Sequence, residues 1–173
     1  MVCSDHFDAI SRAARHLTAR GPPNLASLGG NYFPFAERLR GFRQALTEAK
    51  LPIDEQCASL YWPESSPVSV VTRLVRAGAD AIYAPGSSFE ALECLYILSY
   101  VMGLKVPQDI SIIGGENEHV SSLLDPPLTT IEEPLRDMAE HAVDLLDRLT
   151  LGQTIAQRNV ILPIRLIDRS SVR

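Results

Sequence analysis

Apolar residues fall into short helical and strand-like runs that alternate along the chain. Between residues 5 and 20, Phe7, Ile10, Ala13, Ala14 and Leu17 recur at helical spacing, which predicts an amphipathic helix. Gly21-Pro22-Pro23 stops it, because proline lacks an amide donor and disfavours helix in the residue before it. Residues 25–28 read as a short strand running into Gly29-Gly30. A second helix is predicted over 36–49, with Leu39, Phe42, Leu46 and Ala49 on one face and Leu51-Pro52 at its end. The rhythm then repeats. Residues 58–61 are a strand, 68–77 a helix closed by Gly78, 81–84 a strand, and Pro85-Gly86-Ser87-Ser88 the turn after it. Residues 90–102 form a helix with Gly103 as its C-terminal cap, and 110–113 a strand rich in β-branched residues. A short helix at 119–124, a proline turn, a helix over 134–149 and a last strand at 160–166 complete the chain.

Strands that alternate with helices predict an α/β fold, with a parallel sheet flanked by helices in three αβα layers, Rossmann-like. Right-handed crossovers place the C-terminal ends of the strands at one edge, where such sheets bind ligands. The residues to examine are therefore 30–38, 62–66, 85–88 and 115–117.

Composition narrows the picture. A chain of 173 residues suits one domain, or one domain with a fragment of another. No apolar run is long enough to span a bilayer, so no membrane partner is expected, and the N-terminus lacks a signal-peptide pattern. Cys3, Cys57 and Cys94 form no C-x-x-C pair, so neither a disulfide framework nor a zinc site is expected, and a reducing cytoplasm fits. The formal charge is −5 and the only lysines are Lys50 and Lys105, so the chain by itself will not attract a polyanion strongly.

Four places at the strand edge carry candidate chemistry. Arg38 offers a planar fork of donors to a hydroxyl, carboxylate or purine; the alternative is a solvated arginine or a partner for Glu37. Trp62 directly follows a strand, where its ring either stacks on a sugar or base or packs into the rim or core. Phe33 raises the same pair of readings. Glu116 and Asn117 follow a buried strand through two glycines; they form either a polyol clamp or, for Asn117, a helix N-cap. Ser87 and Ser88 do not stand in a G-x-S-x-G elbow, and Gly29-Gly30 is too sparse for a dinucleotide fingerprint. His6, His16, His119 and His141 lie at no metal-ligand spacing. No catalytic set, metal or cofactor is therefore expected.

These residues resemble the lac-repressor family of bacterial transcription regulators. "ERLRGFRQAL" (37–46) is similar to the family's R-L-x-G-F helix start, and "GLKVPQDISIIG" (103–114) to its G-L-x-V-P-x-D-[IV]-S-[IV]-[IV]-G. "DPPLTTIEEPLRDMAEHAVDLL" (125–146) resembles P-P-L-T-T-[IV]-x-x-P-x-x-x-M-G-x-x-A-V, with Ala139 for the usual glycine. "LPIRLIDRSS" (162–171) resembles the closing L-P-x-x-L-[IV]-x-R-x-S. The four motifs occur in the family's order and cover nearly the whole chain.

The resemblance implies two periplasmic-binding-protein-like lobes that close on a small molecule, usually a sugar or related metabolite. It also implies an operator-reading headpiece ahead of them and a homodimer. Residues 1–130 would be the second lobe, 131–153 a helix returning to a first lobe, and 154–173 the final crossover strand and tail. The headpiece and most of the first lobe would lie outside these residues. Arg38 falls at the family's cleft arginine, Trp62 at an often aromatic position, and Asp5 at a cleft aspartate. Glu116 and Asn117 fall at an aspartate pair. Gly86 with Ser87 or Ser88 replaces the usual Asn-Asp turn, which implies a divergent effector or none. A periplasmic sugar-binding protein shares the lobe architecture, and a hydrolase or nucleotide-sugar enzyme shares the sheet; the closing R-x-S favours the regulator. The 134–149 helix carries an apolar stripe of Leu135, Met138, Ala139, Ala142, Leu145, Leu146 and Leu149. That stripe is expected to be covered, by its own lobe or by a second copy.

Overall fold

The computed structural model describes residues 1–21, 24–29, 34–53, 60–61, 66–85, 88–116 and 119–173. Helix α1 (His6–Thr18) forms where the periodicity places it and buries Ala9, Ile10, Ala13, Ala14 and Leu17. Its first turn is capped by Asp5, whose carboxylate accepts from the Asp8 amide at 2.8 Å. Helix α2 (Pro34–Glu48) lies against it. The contact is close because residue 41 is glycine: a Cβ there would stand 2.5 Å from the Phe7 carbonyl oxygen and 2.6 Å from Ile10 Cγ2. Helix α3 (Pro67–Arg76) buries Val70, Val71 and Leu74. Helix α4 (Ser88–Tyr96) runs on into a π-helical turn, Ile97–Val101. Gly103, at φ +70°, then reverses the chain so that the Leu104 amide returns to the Leu98 carbonyl.

These helices cover a six-stranded sheet in the order β3-β2-β4-β5-β6-β8. Its members are β2 (Leu25–Gly29), β3 (Leu60–Tyr61), β4 (Ala81–Ala84), β5 (Ser111–Gly114), β6 (Thr129–Glu132) and β8 (Arg165–Ile167). Strands β2 to β6 pair in parallel, and β8 pairs antiparallel to β6. Alternate side chains serve opposite faces. Leu25, Ala81, Tyr83, Ile113 and Ile131 share a core with Ile10, Ala13, Leu17, Phe42 and Leu46 of α1 and α2. Ala26, Leu28, Ile82, Ala84 and Ile112 share the other with Val70, Val71 and Leu74 of α3, Ala91 and Cys94 of α4, and Leu98 of the π-helical turn. This is the three-layer α/β arrangement that the alternation predicts. Cys94 belongs to that core, where burial pushes its thiol pKa up to about 12.

A second sheet stands apart from the first. Strand β1 (Val2–Ser4) pairs in parallel with β7 (Val160–Leu162), and α5 (Leu135–Thr150) packs on both. Three sequence expectations change here. Residues 160–166 are not one strand: Pro163 divides them into β7 and β8, which join different sheets. Strands β1 and β6 were not predicted. The first is only three residues long, and the second contains two threonines whose burial depends on distant partners. The stripe of α5 has not refolded onto its own lobe either. No α5 residue is buried, and Leu135, Leu146 and Leu149 are 66%, 63% and 51% exposed.

The closing segment ties the sheet together. The Ser171 hydroxyl accepts from the Thr129 amide at 2.8 Å and donates to the Ile112 carbonyl at 2.7 Å. The Arg169 guanidinium donates to the Leu128 carbonyl and to Thr130 Oγ1, while its amide donates to Thr129 Oγ1. The R-x-S pattern and the P-P-L-T-T turn are thus two halves of one hydrogen-bonded joint.

Candidate functional site

Three chain crossings meet between the two sheets. The first is Asp5, between β1 and α1; the second is Glu133-Pro134, between β6 and α5; the third is Pro163-Ile164, between β7 and β8. The Asp5 amide donates to the Leu162 carbonyl at 2.9 Å and binds the first crossing to the third. Beside them lies a cleft of about 420 Å³. It is lined by Glu116 at the end of β5, Glu132, Glu133 and Pro134 of the second crossing, Leu135, Arg136 and Asp137 of α5, and Pro163 and Arg165 of the third. The cleft therefore sits at the strand-end edge that the topology singles out.

Arg38 stands at the centre of this junction. Its residue is 8% exposed, so it is neither a solvated arginine nor the partner of Glu37, which pairs with Arg40 at 2.7 Å. One terminal nitrogen donates to the Pro85 carbonyl at 2.9 Å. The other faces Glu133 Oε1 at 3.5 Å and His6 Nδ1 at 3.5 Å. His6 and Glu133 are 3.7 Å apart. Arg38 of α2, His6 at the start of α1 and Glu133 of the second crossing thus form a compact triad. Burial, reinforced by the Arg38 charge, holds the His6 pKa below its ordinary value against the opposing pull of Glu133 and Asp5. His6 is accordingly a neutral acceptor toward Arg38 at neutral pH.

The structure brings Arg38 and Asp5 to the junction, and places Glu116 on the cleft wall. The Asp5 carboxylate is engaged as the cap of α1. Trp62, Phe33 and Asn117 lie outside the described residues, and Ser88 is described only as the first residue of α4. Sequence reasoning missed His6 and Glu133. His6 was weighed only as a metal ligand. Glu133 had no usable signal, because the strand it follows, β6, was itself not legible in the sequence.

Parallel strands, a second small sheet reached by three crossings, and a cleft at the crossings define a periplasmic-binding-protein-like domain. Residues 14–172 match the family described as periplasmic binding protein-like domain. The chain belongs to that family, in the form carried by lac-repressor-family regulators. It is 34% identical to the HTH-type transcriptional regulator DegA of Bacillus subtilis, over 99% of this chain and 51% of that protein. It is 31% identical to a probable opine utilization operon repressor of Rhizobium rhizogenes, over 97% of this chain and 90% of that protein. Among solved structures, the complex of the transcriptional regulator CelR with cellobiose matches with a TM-score of 0.88 and 28% identity, over 98% of this chain and 53% of that one. The chain thus spans about half the length of DegA and of the CelR structure.

Proposed function

We propose that the chain is the effector-sensing core of a lac-repressor-family transcription regulator, most simply a repressor, acting in the cytoplasm. The observation that carries this reading is the junction itself. Buried Arg38 reaches from the six-stranded unit to Glu133 in a segment leading to the second sheet. A molecule that engages Arg38 and the cleft wall would bear on both units at once. Any preference it has for one arrangement of them shifts that equilibrium by its differential affinity.

In this reading the six-stranded unit is the second lobe, and β1, α5 and β7 belong to the first. Asp5, Arg38 and Glu116 contact the effector, joined by Trp62, Phe33, Asn117 and Ser88. The working form is a homodimer, and operator DNA is held by residues outside these 173. No bond is made or broken, so the protein is not an enzyme. The binding of cellobiose by CelR supports a saccharide or a related metabolite as the effector class.

Operator release by the full-length protein, titrated with a panel of small metabolites, tests this. At least one compound is expected to change operator affinity. Arg38→Ala should weaken that compound's binding by about 2–4 kcal/mol, as for a broken charge-assisted contact in a desolvated site. An effector bound equally well without Arg38 would remove the junction from the mechanism.

A further inference from the structure

Resting on the effector reading of this cleft, we infer that Arg38, His6 and Glu133 form a latch. It holds the two units in one arrangement, and an effector that accepts hydrogen bonds from Arg38 opens it. The latch lies where a side chain of one unit meets the segments that lead to the other. Arg38 is anchored in the six-stranded unit, since α2 carries its backbone and the Pro85 carbonyl, just past β4, accepts from its guanidinium at 2.9 Å. Glu133 Oε1 and His6 Nδ1 each stand 3.5 Å from the other terminal nitrogen.

Main-chain bonds tie both of these partners to the second sheet. The Glu133 carbonyl accepts from the Leu135 amide at 2.9 Å, with Pro134 between them as the N-cap of α5. The proline ring restricts φ at this joint, so a shift of Glu133 bears on the first turn of α5. His6 follows Asp5, whose amide donates to the Leu162 carbonyl at the end of β7 at 2.9 Å. Two routes therefore run from Arg38 to the second sheet, one through α5 and one through β7.

Charge and burial make the contact able to open. The side chains of Glu133 and His6 are mostly buried, and that of Arg38 more so. Burial and the Arg38 charge keep His6 neutral at neutral pH, so Arg38 is the cation of the three. A ligand oxygen that takes the Arg38 arm facing Glu133 weakens the pairing of a mostly buried carboxylate, which is costly. Turning outward restores the hydration of Glu133 and carries the Pro134 joint with it. The separations within the triad, 3.5 to 3.7 Å, exceed those of a tight charge-assisted hydrogen bond, so little has to break.

Operator binding by the full-length protein tests the latch, first with no compound added. Glu133→Ala is expected to shift operator affinity roughly fivefold or more, within the usual range of an allosteric coupling, and Arg38→Ala to shift it in the same direction. The double variant should shift it no further than either single one, because both remove the same bond. The second arm uses each compound, from a panel of neutral, acidic and basic metabolites, that changes the operator affinity of the parent. Glu133→Ala should bind that compound more tightly than the parent by calorimetry and answer it with a smaller change in operator affinity. The reason is that the variant already populates the arrangement the compound selects. Glu133→Gln keeps an acceptor for Arg38 without the charge and should fall between parent and Glu133→Ala on both counts. If Glu133→Ala fails to fold, Glu133→Gln decides: tighter binding with a reduced response supports the latch, and parent-like values overturn it. Unchanged operator affinity in Glu133→Ala also overturns it, as do single-variant shifts that add, a shift opposite to the compound's, or weaker compound binding. The effector reading fails separately, if no compound of the panel alters the operator binding of the parent.

Discussion

At the residue scale, several motif positions serve packing rather than binding. Ser171 satisfies a buried amide of β6 and a buried carbonyl of β5 at once. Ser171→Ala should therefore destabilise the fold by about 1–3 kcal/mol, the cost of leaving such groups unpaired; urea denaturation would measure it, and an unchanged midpoint would refute it. Gly41→Ala should cost about 1–3 kcal/mol by overpacking the α1–α2 contact. Its chief obstruction is the Phe7 backbone carbonyl, which has no rotamer to change, so a neutral result by the same measurement would mean that the two helices slide apart freely. The histidines give a pH dependence with a definite sign. His6 and His16 both have pKa values lowered from 6.5, first by burial. Below that value the unfolded chain takes up protons that the folded chain resists, so stability falls as the medium turns acidic and is fully present above it. Replacing both with asparagine should flatten the stability profile between neutral and mildly acidic pH. A slope as steep as that of the parent would assign the effect to other groups.

At the scale of elements, the legible parts were those whose burial is one-sided and periodic. Helices α1, α2 and α3 were predicted to within two residues at each end, because their apolar stripes face a sheet and proline or glycine punctuates them. Strand β4 was exact, its four residues all buried between two helical layers. Strand β6 was not legible as a strand. Thr129 and Thr130 read as polar, yet both are fully buried, since Arg169, forty residues away, supplies their partners. Periodicity cannot report a hydroxyl satisfied at that distance. The same limit hid the division at Pro163. A run of β-branched and leucine residues looks continuous, but proline cannot donate to a ladder, and the chain changes sheets there. Of the site, Arg38 was visible because it lies at a strand edge beside a recognisable glycine motif. Its partners Glu133 and His6 were not, because neither Glu-Pro nor a lone histidine carries information until three crossings bring them within 3.7 Å.

At the scale of the whole molecule, α5 poses the open question of coverage. Met138 and Leu145 are partly covered, in keeping with the packing of α5 on β1 and β7, but two short strands cannot cover the full width of the stripe. Leu135, Val143, Leu146 and Leu149 face outward, and Leu151 and Ile161 add to the exposed apolar surface of the same unit. Fully burying such a side chain is worth roughly 1.5–3 kcal/mol, so an open cluster of this size is a strong drive toward association. Of the acidic residues on the helix, Asp144 is paired with Arg148 at 3.6 Å one turn along. These 173 residues are therefore expected to self-associate in solution through α5. Sedimentation should find a dimer or larger species whose formation is insensitive to moderate salt, as suits apolar rather than ionic contact. Leu146→Asp should shift the chain to monomer while leaving its urea midpoint, measured at a concentration where the parent is also monomeric, within about 0.5 kcal/mol, because Leu146 touches no core. A parent that stays monomeric at high concentration would show that water tolerates the open stripe. A Leu146→Asp variant that stays dimeric would move the contact to another face, where the exposed pair Tyr96 and Tyr100, stacked with centroids 5.3 Å apart, is the next place to substitute.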